Sequence, residues 1–481
     1  MVFNGYGIER KKTKIVATLG PASWDKETIR KMVRAGLNVA RINFSHGDHE
    51  THGHTIDTVR QVAQEENTVV SVLADIQGPK IRLGKVKEPI PIQSGEKIEF
   101  TLDDADGSNG VVQLPHPEFM VDIQAGMPLL YGDGELQFEV IEKKAHSIVV
   151  EATVAGVVES RKGMMAPTAK LTLSAITEKD QKDIEFVLTK APDYLALSFV
   201  RNAEDIRQLR WMMRMFGGEQ RVGVIAKIEK HEALDSIEEI INVCDGIMVA
   251  RGDLGLEIPP QNVPKEQKRI IRLCNERSKP VITATQMLSS MVSSPRPTRA
   301  EASDVYNAIV DGTDAVMLSN ETATGDYPVE SVQIMADIAL TAESRSWPLR
   351  PHLDSIISEK DSISDAISSA AYEISNALNP RAIVTSTLSG YTARKVASER
   401  PTVPIICVTP NSTTYHLMAL VWGVTPMMIP EFSTIDEMIM LIEKTTKEKG
   451  YVSTGDNLII IAGMPFGVGG QTNFLKVHNV E

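Results

Sequence analysis

The sequence predicts an α/β protein: a (β/α)₈ TIM barrel with an inserted small all-β lid domain and a C-terminal open α/β domain. Three observations predict it. Short apolar runs alternate with segments of helical periodicity through the first 345 residues. The alternation is interrupted from about Val86 to Ala166 by short β-rich pieces separated by Gly, Asp and Pro. A second, shorter alternation follows Trp347-Pro-Leu-Arg-Pro351. Apolar strands alternating with helices imply a parallel sheet covered on its outside, and eight such units suggest a closed barrel.

Taken in order, barrel strands are expected at Lys14–Thr18, Asn38–Asn43, Thr68–Asp75, Asp193–Ser198, Val222–Lys227, Gly246–Ala250, Pro280–Ala284 and Ala315–Leu318. Helical periodicity marks Asp25–Ala35, Asp180–Lys190, Ala203–Phe216 and Ala300–Ala308. The barrel is thus assigned residues 1–85 and 168–345. Residues 86–167 form the insertion, with strands at Glu96–Leu102, Gly110–Leu114, Glu135–Val140 and Ser147–Thr153. Inserted above a barrel mouth, such a unit is a candidate lid. Residues 346–481 carry a helix at Asp361–Leu378 and strands at Ala382–Ser386, Ile405–Thr409 and Leu458–Ala462. Their helices are expected near Thr392–Ser398, Thr413–Leu420 and Ile435–Lys449.

A barrel of this kind places its chemistry at the C-terminal ends of its strands. Those ends carry Thr18, Arg41 with Asn43, Asp75, Ser198, Lys227 with Glu229, Asp253, Thr285, and Ser319 with Glu321. Each can bind a metal, a phosphate or a carboxylate. Lys227 and Glu229 lie two residues apart, so in an extended chain they point the same way. A cation and an anion aimed into one pocket suit an anionic substrate handled with a divalent metal.

The bulk composition excludes several classes. A net charge of −13 argues against a general nucleic-acid binder. No apolar run is long enough to span a bilayer, and the N-terminal Met1–Lys12 has no signal-peptide core. Cys244, Cys274 and Cys407 are widely spaced and form no zinc motif or disulfide framework, which fits a reducing cytoplasm.

Five motifs stand out: Val39-Ala-Arg-Ile-Asn-Phe-Ser-His-Gly47, Ala74-Asp-Ile-Gln-Gly-Pro-Lys-Ile-Arg82, Ala226-Lys-Ile-Glu229, Met248-Val-Ala-Arg-Gly-Asp-Leu-Gly255, and the run from Ile282 through Arg296-Pro-Thr-Arg-Ala-Glu301 to Pro328. Together, in order and over essentially the whole chain, they resemble the pyruvate kinase family. The resemblance implies phosphoryl transfer between phosphoenolpyruvate and ADP, giving pyruvate and ATP. Such chemistry asks for positioning and charge neutralisation more than for covalent help. The resemblance gives Glu229 and Asp253 the Mg²⁺ (or Mn²⁺), which commonly takes one or two carboxylates plus substrate oxygens and water. It makes Lys227 the stabiliser of the moving phosphoryl group and Arg41 a second ligand to it. Ala250, Arg251, Gly252 and Asp253 form a backbone cradle for the substrate carboxylate, which Thr285 also contacts. Thr285 further helps deliver a proton to the enolate carbon. The nucleotide falls to Thr18, Pro21, Asn43, His46, Arg82 and Lys179. The family precedent is a homotetramer.

Two departures and one regulatory expectation follow from the same resemblance. Many members need K⁺, and Asn43, Ser45, Asp75 and the carbonyl of Ile76 occupy the matching ligand positions. The usual Thr-Lys-Gly-Pro-Glu that follows the aspartate is here Ile76-Gln-Gly-Pro-Lys80. The Lys80 ammonium is therefore expected to replace the cation, so that K⁺ is not required. Asn320 stands where the family usually has glycine. In the C-terminal domain Thr385, Ser386, Thr387, Ser389, Gly390 and Thr392 precede a helix and are expected to bind a phosphorylated effector, a sugar phosphate or a nucleotide monophosphate, under the loop Pro465–Gln471. The competing reading is a divalent-metal barrel lyase or aldolase acting on pyruvate or oxaloacetate. That enzyme would not need Arg82, Lys179 or a lid.

Overall fold

The computed structural model describes residues 11–167, 169, 171–217, 222–344, 362–466 and 471–481. The expected junction at Trp347–Pro351 and part of the loop before Gln471 lie outside the described residues.

Eight parallel strands close a barrel: Lys14–Leu19, Val39–Asn43, Ser71–Ile76, Tyr194–Leu197, Gly223–Ile228, Gly246–Ala250, Val281–Ala284 and Ala315–Leu318. Each pairs with its neighbours in sequence. The ring closes where Lys14 and Ile15 meet Ala315 and Val316. The apolar runs read from sequence are strands buried on both faces, as in Lys14–Leu19, where every residue is buried. Side chains pointing outward, such as Ile15, Val72 and Val224, join the surrounding helices in one core. Those pointing inward, such as Val16, Leu73, Ile225 and Met317, fill the barrel interior.

Local chemistry sets the helix limits. Asp25 caps Lys26–Ala35, its side chain accepting from the Thr28 amide, and Gly36 ends that helix at φ +119°. Thr177 with Asp180, and Thr298 with Glu301, form reciprocal capping boxes. They open the helices Glu178–Thr189 and Arg299–Val310, two helices whose first turns face the strand ends.

The insertion folds around its own core, from Ile81 and Leu83 through Phe100, Phe119 and Phe138 to Ala166 and Ala169. It holds a six-stranded sheet and a two-stranded one. The C-terminal domain is a five-stranded sheet in the spatial order Val424–Met428, Ile405–Thr409, Ala382–Ser386, Asn457–Ala462 and Phe474–Asn479. Only the last of these runs antiparallel to its neighbour. This domain seals the barrel floor. Leu417, Met418, Leu420 and Val421 share one apolar cluster with the barrel interior. The Tyr194 hydroxyl donates to the Leu417 carbonyl at 2.6 Å, and Lys14 Nζ to the Val424 carbonyl at 2.7 Å. With the floor closed, the C-terminal strand ends are the face left for chemistry.

Candidate active site

At those ends the structure assembles a buried charge network. Arg41, on the second strand, donates through Nε to Asp75 Oδ2 at 2.7 Å and through Nη1 to Thr18 Oγ1 at 2.8 Å. Lys227, on the fifth strand, lies 3.2 Å from Asp75 Oδ1 and 2.9 Å from Glu229 Oε1, and it donates to Ser198 Oγ at 2.7 Å. All four charged residues are at most 9% exposed. The first, second, third and fifth strands and the residues just after the fourth and fifth supply these groups, which is why no local stretch of sequence displays the network.

The electrostatics follow from burial and pairing. Burial alone would lower the Lys227 ammonium, but Asp75 and Glu229 outweigh it and hold it above its ordinary value. Burial would raise the Asp75 carboxyl, but Lys227 and Arg41 outweigh that and hold it below the usual carboxylate range. Glu229 differs. Burial pushes its carboxyl up, and Asp253 adds to that push against the pull of Lys227. One lysine thus serves two carboxylates, which leaves a surplus of carboxylates over cations on the Glu229–Asp253 side among the described residues. Two hard oxygen donors with that surplus fit a divalent cation that takes its remaining ligands from substrate and water. A second hold on Glu229 is the Phe199 amide, donating to Oε2 at 2.7 Å from a residue at φ +54°.

Across the mouth, the sixth strand runs straight into the short helix Arg251–Glu257, so Ala250–Asp253 turn their backbone at the strand end. The Gly252 amide donates to Thr285 Oγ1 at 2.7 Å, and that hydroxyl donates to the Ala284 carbonyl at 2.7 Å. The Arg251 side chain engages the loop after the seventh strand, where Nη2 donates to the Thr285 carbonyl at 2.8 Å. Glu321 steadies that loop from beneath, accepting from the Leu288 and Ser319 amides at 3.1 and 2.7 Å.

The residues expected to hold the nucleotide divide into two groups. His46 and Pro21 are exposed at the rim, and Arg82 is half-buried at the lid junction, donating to the Arg161 carbonyl. Partial burial, then the positive charges of Arg82, Lys80, Arg41 and Lys179, pull the His46 imidazole below its ordinary value. Four cations therefore act on this imidazole, a field suited to a polyphosphate. Lys179 does so while donating to Asp183 Oδ2 and the Phe44 carbonyl at 2.6 and 2.7 Å. Thr18 does not join the rim. It is buried, donates to the Leu318 carbonyl at 3.0 Å, and holds Arg41 from below.

The expected cation nest is also partitioned. Asn43 Oδ1 accepts from the Ser45 amide at 3.2 Å. Asp75 is shared between Arg41 and Lys227, and the Ile76 carbonyl accepts from Ser198 Oγ at 2.6 Å. Lys80 is exposed. It lines a cleft between the insertion and the barrel, together with Gly163, Met164, Phe199, Arg201 and Asp253. Its charge thus reaches the site from the lid side, and none of the described ion pairs joins it to Asp75.

In the C-terminal domain the loop Thr387–Gly390 turns through Gly390 at φ +75°, whose amide donates to Thr387 Oγ1 at 3.1 Å. Thr385, Ser386 and Thr392 are buried, and the Thr392 hydroxyl pairs with that of Thr472 at 2.8 Å. Thr387 and Ser389 are the more open hydroxyls of the set.

Comparison with known proteins agrees with this geometry. Residues 10–332 match the model of the pyruvate kinase barrel domain, and residues 365–478 that of the pyruvate kinase alpha/beta domain. The chain is 43% identical over 476 residues to the pyruvate kinase of Sporosarcina psychrophila, spanning 97% of this chain and 80% of that one. It is 44% identical over 476 residues to the pyruvate kinase of Geobacillus stearothermophilus, spanning 98% and 81%. With a pyruvate kinase of Staphylococcus aureus it shares 43% over 475 residues, spanning 98% and 80%. A closed barrel floored by an α/β domain, a buried Arg–Asp–Lys–Glu network at its mouth and matches over nearly its full length together place this chain in the pyruvate kinase family, as a phosphotransferase.

Proposed function

We propose that this enzyme moves the phosphoryl group of phosphoenolpyruvate to ADP at the Arg41–Asp75–Lys227–Glu229 network, with Mg²⁺ (or Mn²⁺) and without K⁺. The observation that carries the reading is the shared lysine: Lys227 is buried, charged and placed between two carboxylates. Its ammonium and the Arg41 fork offer the phosphoryl oxygens preorganised positive charge in a site screened from water. Glu229 and Asp253 would hold the divalent ion, which supplies further charge neutralisation at the transferring group. The backbone at Ala250–Asp253 binds the substrate carboxylate. The Thr285 hydroxyl, fixed by the Gly252 amide, lies beside that cradle, where it can pass a proton toward the enolate carbon. His46, Arg82 and Lys179 take the polyphosphate, and the insertion 86–167 closes as a lid that excludes water.

Independence of K⁺ rests on Lys80. It puts a fixed positive charge over the cleft where the family commonly has a glutamate, and Asp75 already has two cationic partners. The same reading includes a homotetramer in the cytoplasm, with phosphoenolpyruvate, ADP, ATP and pyruvate as its small-molecule partners and a sugar phosphate or nucleotide monophosphate at Thr385–Thr392. The lyase alternative leaves the converging Arg82, Lys179 and Lys80 without a task.

A coupled assay for ADP-dependent pyruvate release tests the whole. Turnover is expected to persist when K⁺ and Na⁺ are replaced by tetramethylammonium. A many-fold loss restored by K⁺ would remove the role given to Lys80, while leaving the transfer reaction intact. Pyruvate release that ignores ADP would favour the lyase.

A further inference from the structure

Two adjacent residues at the mouth hold a conformation that side-chain-bearing residues avoid. Thr285 and Gln286 sit at φ +68° and +52°. The left-handed region is uncommon for any residue with a Cβ and a genuine outlier for a β-branched one. Such strain persists only where the surroundings over-determine it, and it collects at functional sites. Here one guanidinium holds the backbone of the turn. Arg251 donates from Nη2 to the Thr285 carbonyl at 2.8 Å and to the Gln286 carbonyl at 3.4 Å, and from Nε to the Ala284 carbonyl at 3.3 Å. Three successive carbonyls are gathered on one side chain. The guanidinium is itself anchored. Its Nη1 lies 2.7 Å from Asp304 Oδ2 and 2.9 Å from Oδ1, with Gln267 Oε1 at 3.4 Å. Asp304 stands on the helix Arg299–Val310. The next residue after Arg251 grips Thr285 by its other end, since the Gly252 amide donates to Thr285 Oγ1.

We propose that the Arg251–Asp304 pair is a clamp that positions Thr285: Arg251 acts through the strained turn, not on the substrate. The proposal rests on the reading of Thr285 as the residue beside the substrate carboxylate and the enolate carbon. A guanidinium fork suits the task because it is planar, always charged and presents donors in fixed directions. A lysine at 251 would keep the charge and lose the geometry.

The experiment is a double-mutant cycle on the full-length enzyme. Arg251→Lys, Asp304→Asn, Thr285→Ala and the two doubles with Thr285→Ala are compared. The readouts are kcat, KM for ADP, and deuterium uptake into the methyl group of pyruvate in D₂O. Displacing a reacting group by about 1 Å costs up to roughly a hundredfold. Arg251→Lys is therefore expected to lower kcat and methyl exchange together by about tenfold to a hundredfold, with KM for ADP unchanged. In the Thr285→Ala background it should add nothing, because the residue it positions is gone. Effects that multiply would overturn the clamp while sparing Thr285. Full turnover and exchange in Thr285→Ala would overturn the reading of Thr285 and the clamp with it. If Arg251→Lys unfolds, Asp304→Asn alone must show the same non-additivity, on a smaller scale, or the proposal fails.

Discussion

The two ends of the barrel both bury ions, and they treat them differently. At the floor, Arg400 lies 3.1 Å from Asp314 and donates to Asn275 Oδ1 at 2.7 Å and the Gly312 carbonyl at 2.6 Å, with its guanidinium 4.8 Å from the Trp422 ring centre. Asp314 also accepts from the Val281 and Trp422 amides. Cation and anion are matched one to one, and the surrounding donors and acceptors come from the protein. At the mouth, Lys227 is divided between Asp75 and Glu229, and Glu229 faces Asp253. The floor is a joint whose ion pair is matched within the chain, with Arg400 Nε the one guanidinium nitrogen there left without a hydrogen bond among the described residues. At the mouth, among the described residues, carboxylates outnumber the cations that face them, which is the arrangement the proposed metal and substrate would complete. A buried ion pair is therefore no sign of function by itself; the arithmetic of its partners is.

That comparison is broken or sharpened by removing the cation at each end. Arg400→Leu takes one partner from a buried pair, which costs about 3–5 kcal/mol. The expected result is a large fall in the denaturation midpoint, with kcat at low temperature unchanged. A fall in kcat with the midpoint preserved would show that the floor takes part in the chemistry. Lys227→Met also takes a cation from a buried pair, but its larger expected effect is on rate. Loss of one preorganised charge at a reacting group costs about 10²–10³-fold in kcat. Lys227→Met retaining full turnover in the coupled assay would remove the catalytic assignment outright.

The same contrast explains what sequence made legible. Strands buried on both faces are continuous apolar runs, so Gly246–Ala250 and Ala315–Leu318 could be bounded from composition alone. Each run ended in a polar residue, which located the mouth. What sequence could not give was the direction of those side chains. Thr18 ends a strand as a nucleotide ligand would, yet its hydroxyl lies under Arg41. Lys80 is expected at the cation position of Asn43 and Asp75, yet it lines the cleft beneath the insertion, and none of the described ion pairs joins it to Asp75. Asp304 escaped notice because its partner Arg251 is 53 residues away and nothing in a helix interior marks an aspartate as an anchor. Val424–Met428 escaped for another reason. Pro426 reads against a strand, and the sheet tolerates it because this strand lies at the edge. Phe474–Asn479, the opposite edge, alternates too weakly to stand out.

A smaller effect tests the joint between lid and mouth, where contacts are neutral in contrast to both ionic ends. The Arg82 amide donates to His116 Nε2 at 3.0 Å, so that nitrogen must carry no proton. Burial lowers the His116 imidazole from its ordinary value against the smaller opposing pull of Glu118, and an amide donating to Nε2 also favours the neutral ring. A histidine with a depressed folded pKa binds its proton more readily in the unfolded chain. Its contribution is therefore complete well above the unfolded value of about 6.5 and declines as pH falls below it toward the folded value. Lid stability should accordingly rise with pH through this window. Hydrogen exchange at the Arg82 amide measures it, since exchange there, corrected for its intrinsic pH dependence, should report more frequent opening at pH 5.5 than at pH 7.5. In His116→Gln, whose side-chain carbonyl can accept without titrating, the excess opening at low pH should disappear. If the mutant keeps the full pH dependence, the group that titrates at the joint is not His116, and Arg82 is held at the junction by the backbone of the insertion alone.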